Sequence, residues 1–429
     1  MNDRRRVVVT GMGLITPLGI GVEENWKNLV NGRSGIGRLT HFDASGYPTR
    51  IAGQVKGFNA VELVGPREDL VSLGVHTRFA LAAARMAYDD SGLKGCALDP
   101  GRIGVYLGCG EGDPNFMWLA HLIRESLHDG MVNMEAFLRR GVEMLNSKKD
   151  IEYEPNKPVY HIANMYNAQG PNSNCLTACA ASAQAVGEAA CMIARGDADV
   201  MFAGGAHSMI HPMGLAGFSL LTAISTRNDD PEKASRPFDL KRDGFVLAEG
   251  AGILILEEER YALTRRAKIY GEVLGYGCSS DAYRITDIHP EGRGATQAMQ
   301  NAMRDAGIRP EQVDYINAHG TSTQVNDRVE TLAIKKVFLE HSKKVAVSSS
   351  KSMMGHLIAA AGAVEAAVCL LTIGHSVITP TINYEFPDPG CDLDYVPNRA
   401  RASSVRIALS NSFGFGGQNV CLVLSRYGG

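Results

Sequence analysis

CAASAQAVGEAA, residues 179–190, and HLIAAAGAVEAA, residues 356–367, read as two copies of one small-residue helix, and their kinship decides the fold. Aligned from Cys179 and His356, each copy carries a glutamate nine residues on, Glu188 and Glu365, followed by Ala-Ala. A chain that uses one helix twice is expected to form two similar halves about a pseudo-twofold axis. Such packing brings both helix N-termini to one centre, where a thiol from one half faces an imidazole from the other. A thiol facing an imidazole is nucleophile chemistry.

Around these copies, short β-branched runs alternate with alanine-rich helical stretches. The runs 6–9, 103–107, 200–203, 253–256, 315–318, 345–348, 406–409 and 420–424 read as buried strands. Helical periodicity covers 79–88, 180–194, 294–306, 327–339 and 357–373. Strands separated by helices imply an α/β protein with a largely parallel sheet covered on both faces. The seam between halves falls in the charged stretch after strand 253–256, giving an N-terminal half of residues 1–260 and a C-terminal half of 261–429.

Composition narrows the function. With 429 residues and 45% hydrophobic content, the chain can bury a large core. A net charge of −3 and no basic stripe argue against nucleic acid as a partner. Nine scattered cysteines fit reduced thiols in the cytoplasm better than a disulfide framework. Neither a CxxC pair nor a His/Cys cluster has metal-ligand spacing, so no metal is expected. The start, MNDRRRVVVTGMGLITPLG, lacks a long apolar core and reads as a charged tip followed by a buried strand rather than a signal peptide. The apolar run 357–374 approaches a membrane span in length but carries Glu365, so a core helix is expected and no span.

Four motifs carry chemistry. NCLTACAAS, residues 174–182, places Cys179 between a strand and a helix N-terminus, where the macrodipole favours a thiolate and backbone N–H groups face a developing oxyanion. Cys175 reads as a packing residue. NAHGTST, residues 317–323, puts His319 at the end of a strand, followed by the hydroxyls of Thr321 and Thr323. SSSKSMMGH, residues 348–356, adds Lys351 and His356, with Glu330 and Glu365 as acidic partners for the lysine. NSFGFGGQN, residues 411–419, reads as an aromatic hinge built on Phe413 and Phe415.

Together with STRND at 225–229 and RPFDLKRDGFVLAEGAG at 236–252, these motifs resemble the β-ketoacyl-acyl carrier protein synthases, specifically the FabF-like (type II) condensing enzymes of the thiolase superfamily. The resemblance spans almost the whole chain in order. It implies thiolase-like duplicated βαβαβαββ halves in five α-β-α-β-α layers, and a homodimer. It also implies decarboxylative condensation of an acyl thioester with a malonyl thioester, both carried on the phosphopantetheine of an acyl carrier protein, with no other cofactor. Cys179 would hold the acyl group, His319 and His356 would donate to the malonyl oxygen, and Lys351 would serve electrostatics first and acid–base chemistry second. Thr321 and Thr323 would line the pantetheine path and Phe415 would gate it. Glu330, Glu365 and Asp327 would hold the site together.

Three departures from the family stand out. Glu111 occupies a position where relatives place an apolar residue of the acyl pocket, which disfavours a long alkyl chain. Val71, Ser72 and Thr222 stand where basic carrier-docking residues are usual, leaving Arg78 or Arg227 for that role. The segment 113–158 reads as an insertion with an amphipathic helix and a charged run. Among other functions, a chain-length-determining partner subunit would lack the cysteine, a degradative thiolase would use a Cys–His–Cys set, and a starter enzyme using acyl-CoA would carry Asn for one histidine.

Overall fold

The strand Val7–Thr16 is buried along its whole length, as expected of an interior strand behind a charged tip. The computed structural model describes residues 4–70, 72–110 and 116–428. In the first repeat the strands, in chain order, are Val7–Thr16, Ile103–Cys109, Asn172–Cys175, Val200–His207 and Gly250–Glu258. In the second they are Gly271–Ser280, Tyr315–Asn317, Ala346–Ser348, Ile407–Phe413 and Gln418–Ser425. Numbered within its own repeat, each set lies side by side in the order 3-2-4-5-1. Identical strand order in both halves is the structural signature of the duplication. The repeats meet edge to edge through a short antiparallel pairing of Val8 with Glu272 and Val9 with Gly271.

The sheets are mixed rather than largely parallel. In each repeat the second strand pairs parallel with the third and fourth. The fifth pairs antiparallel with the fourth and, at its other edge, with the first. The sequence hides this because the fourth strand returns antiparallel into the fifth, through only Gly414–Gly417 in the second repeat and through a segment holding helix Pro212–Leu220 in the first. The strand Gly271–Ser280 escaped sequence reading, and Asn172–Cys175 was read only as a strand of unstated bounds ahead of Cys179. Their glycine-, serine- and asparagine-rich compositions carry little β-propensity, and tertiary pairing overrides it.

Five layers result. Helix Val75–Ser91 covers the outer face of the first repeat, and helices Arg293–Ala306 and Gln324–Phe338 cover the second. Between the sheets lie the two central helices, Ala181–Arg195 and Ala361–His375, packed on one another. Gly362 permits this approach, since a Cβ there would fall 2.6 Å from the Ala183 Cβ. The apolar segment Ile358–His375 passes the length and hydropathy test for a membrane span, but 89% of it is buried inside the protein, so it is a core helix.

The two helix copies match in more detail than the sequence suggested, and in a different register. Ala178 and Ile358 both hold φ at 47°, each opens a 3-10 turn, and each turn leads into a 15-residue helix ending in a left-handed residue, Gly196 or Ser376. Cys179 therefore corresponds to Ala359, and His356 lies three residues ahead of that point. Alanine-rich sequence aligns almost equally well after a slip of about one helical turn, which is why the glutamates suggested the wrong register.

In the expected insertion, the helices Phe116–Glu125 and Met134–Met144 flank a hairpin of Leu127–His128 and Met131–Val132. Met117, Met131, Leu138 and Val142 are exposed on it.

Candidate active site

Each reactive side chain is held where backbone geometry is unusual. The left-handed Ala178 sets the Cys179 thiol at the mouth of its helix. Positive φ at a residue with a Cβ is costly and persists only when surrounding structure enforces it. His356 follows Gly355 at φ 75°, and a Cβ on that glycine would meet the Val246 carbonyl oxygen at 2.9 Å. His319 lies two residues past the second strand of its repeat, Tyr315–Asn317, and is clamped from behind. Glu330 accepts the backbone N–H groups of His319 and Gly320, each at 2.8 Å, and the Asn411 amide at 3.1 Å.

The three side chains converge. His356 Nε2 lies 3.0 Å from Cys179 Sγ, and the His319 and His356 ring centroids are 5.4 Å apart at 81°. One donor atom from each of Cys179, His319 and His356 falls within 4.8 Å of the others, and all three residues are buried. The backbone N–H of Ile358 donates to His356 Nδ1 at 3.2 Å. That bond assigns the ring proton to Nε2, so His356 presents an N–H to the sulfur.

This detail bears on metal binding. Cys-His-His is a donor set that can hold a soft ion, and residues so far apart in sequence show no ligand spacing. Ligation through Nε2 needs its lone pair, which requires the proton to move to Nδ1, against the Ile358 N–H. The arrangement suits hydrogen-bond donation better than coordination.

Electrostatics follow from burial. Burial, reinforced by the Lys351 ammonium, holds both His319 and His356 well below the ordinary imidazole range, hence neutral at physiological pH. Burial also pushes the Cys179 thiol up to about 11, although Lys351 and the backbone N–H groups of Phe415 and Cys179 pull the other way. Desolvation outweighs these contributions, which favours the thiol in the resting site. The backbone N–H groups of Phe415 and Cys179 are aimed at the sulfur.

Lys351 pairs with Glu365, both 1% exposed, and burial raises the Glu365 carboxyl to about 7. Glu330, named with Glu365 as a partner for this lysine, instead clamps the backbone at His319. Asp327 accepts from the Phe238 N–H at 2.7 Å and lies 3.6 Å from Arg242, so it anchors segment 236–242 under the site. Thr321 and Thr323 share a hydroxyl contact of 3.0 Å, and Thr323 also caps helix Gln324–Phe338. Cys179, His319, His356, Thr321, Thr323 and Phe415 line one cavity of about 280 Å³.

Sequence reasoning missed several supports. Arg242 is buried and donates to Asp388 at 2.8 Å and to the Thr323 and Gln324 carbonyls, fixing the loop behind Thr321. Arg236 pairs with Asp239 at 2.9 Å. Charges inside an apolar sequence context, as in RPFDLKRDG, are the available signal, because buried arginines demand partners. Phe413, read as part of a hinge, packs against His319 with centroids 5.7 Å apart. Glu111 lies outside the described residues. Cys175 is a packing residue, its thiol 3.2 Å from the Ala181 carbonyl oxygen.

The model of the β-ketoacyl synthase N-terminal domain matches residues 4–262, and that of the C-terminal domain matches residues 270–385. The chain belongs to the β-ketoacyl synthase family.

Among β-ketoacyl synthases, a 3-oxoacyl-(acyl-carrier-protein) synthase 2 of Coxiella burnetii is 46% identical over 426 residues, covering 99% of both chains. The structure of the ishigamide ketosynthase/chain length factor is similar with a TM-score of 0.89 at 36% identity, covering 99% of this chain and 100% of that one. A type II polyketide ketosynthase, solved with its acyl-carrier protein and bound to the hexaketide, gives a TM-score of 0.87 at 35% identity, with 99% of each chain covered.

Proposed function

We infer that this β-ketoacyl synthase carries out decarboxylative Claisen condensation of an acyl thioester with malonyl-acyl carrier protein, in chain elongation of fatty acids or related polyketides. The observation that carries the reading is the neutral His356 N–H donor, 3.0 Å from the Cys179 sulfur and fixed by Ile358.

Cys179 Sγ attacks the acyl thioester carbonyl, its proton leaves with the carrier thiol, and an acyl-Cys thioester remains. The oxyanion of that step forms against the N–H groups of Cys179 and Phe415. Malonyl thioester then enters the vacated cavity and loses CO2. The electron pair released becomes an enolate whose oxygen is stabilised by the N–H donors of His319 and His356. No strong base is needed, which suits two neutral rings. The enolate carbon attacks the acyl-Cys carbonyl, a C–C bond forms, the C–S bond breaks, and the released thiolate takes up a proton from water.

Lys351 acts through its charge, held by Glu365, rather than by touching substrate. Thr321 and Thr323 hydrogen-bond the pantetheine arm, and Phe415 gates the cavity they line. Glu330 and Asp327 position the loops carrying His319 and Thr321. Glu111 belongs to the acyl-binding residues. A noncatalytic chain-length partner is disfavoured because Cys179, His319 and His356 are all present.

The seam of the two halves lies near residue 260, supported by the gap between the two family matches. A homodimer is supported by the edge strand Asn172–Cys175 and the apolar side chains exposed on segment 116–145. Nine cysteines, none of them paired, support a cytoplasmic location. Incubation with acyl- and malonyl-carrier thioesters tests the function: stoichiometric CO2 and β-ketoacyl product support it, whereas turnover only on adding a second synthase subunit favours the partner reading.

A further inference from the structure

The strands Ile103–Cys109 and Val200–His207 end against the turns that open the two central helices. A Cβ at Gly108 would strike the Ala181 and Ser182 backbone, and one at Gly205 would approach the Gly108 and Ala359 carbonyl oxygens. Neither strand contributes a residue to the cavity lined by Thr321 and Phe415. They approach the turn that carries Cys179 from outside that cavity. The buried side chains clustered with Cys179, among them Ile210, Leu215, Phe245, Leu247 and Ile358, are apolar.

By contrast, His207 is polar. The side chain is 2% exposed, and among the described residues neither ring nitrogen has a hydrogen-bond partner. Its ring occupies the space above Gly110, where a Cβ would fall 2.2 Å from Nδ1. His76, also buried, has an unpartnered Nδ1 and interacts electrostatically with His207, which in turn influences His356. A neutral imidazole offers one donor and one acceptor, and burying both unpaired is unfavourable. Glycine at 110 keeps the ring's place open; packing alone would be better served by leucine or phenylalanine.

We propose that His207 is a specificity-determining residue that hydrogen-bonds an uncharged oxygen, hydroxyl or keto, on the acyl chain held by Cys179. This inference rests on the reading of Cys179 as the acyl carrier. Burial holds His207 and His76 far below the ordinary imidazole range, His76 to about 4, which suits an uncharged group better than a carboxylate.

The test is acylation of Cys179 by carrier thioesters of octanoate and of octanoates bearing a hydroxyl or keto oxygen at successive carbons, followed by mass spectrometry. At least one oxygenated chain is expected to load about tenfold better in kcat/KM than octanoate, the size of one net hydrogen bond. In His207→Leu that preference is expected to vanish while octanoate loads at least as well. A wild-type enzyme that prefers octanoate to every oxygenated chain overturns the proposal, whatever the variant does. So does a His207→Leu enzyme that keeps the preference, or one that loses malonyl decarboxylation with selectivity intact. Failure of every thioester to load Cys179 contradicts the functional reading itself.

Discussion

His356 presents its Nε2 proton to the Cys179 sulfur at 3.0 Å because the Ile358 backbone N–H occupies Nδ1. A ring locked in this tautomer is a donor in the resting state, suited to an enolate oxygen and poorly suited to act as a resident base. The resting nucleophile is a thiol beside a neutral imidazole, not an ion pair.

The thiol, raised to about 11, sets a pH signature. Only the thiolate reacts with iodoacetamide, and below the thiol pKa its fraction grows tenfold per pH unit. Inactivation is expected to accelerate steadily from pH 7 to pH 10 without levelling. A plateau near pH 8 would show a lowered pKa.

Removing one imidazole separates the half-reactions. His319→Ala is expected to slow malonyl-carrier decarboxylation by about 10²–10³-fold, the usual effect of losing one oxyanion donor, while Cys179 still accepts an acyl group. Loss of both half-reactions together would argue for a general structural role.

Lys351 and Glu365 form a pair with almost no solvent exposure. Lys351→Met leaves the Glu365 carboxylate buried alone and is expected to destabilise the fold by about 3–5 kcal/mol in denaturant unfolding. Glu365→Leu added to it is expected to restore most of that loss. Additive losses in the double variant would sink the pairing argument.

Glu365 alone contributes a pH dependence. Its carboxyl is raised from 4.5 to about 7, so folding favours the protonated form. The contribution to stability is fully present below pH 4.5 and is lost as pH rises through about 7, where the folded protein must bury the ionised group. Glu365→Gln is expected to flatten this component of unfolding free energy between pH 5 and 8, and an unchanged slope would refute it.

Much of the fold was legible because periodicity survives in the β-branched strands and alanine-rich helices. Every strand expected from such runs forms, whereas the bounds of NSNC at 172–175 and the whole of GEVLGYGCSS at 271–280 do not announce themselves. Both owe their pairing to neighbours, and a local reading cannot see neighbours. Duplication was visible in sequence, but its register was not, since Ala178 and Ile358 are matched by backbone angle rather than side chain. At the site, Cys179, His319 and His356 stood out through their motifs. The Glu330 clamp and the Arg242 anchor did not, because each recognises backbone groups on a distant loop.

Cys179 as the point of covalent attachment is tested most directly by peptide mass spectrometry after mixing the protein with an acyl-carrier thioester and no malonyl donor. The expected spectrum shows the acyl mass on the peptide containing Cys179, its loss on adding malonyl carrier, and no adduct in Cys179→Ala. Acylation at another residue, or an adduct that malonyl carrier does not discharge, would contradict the mechanism.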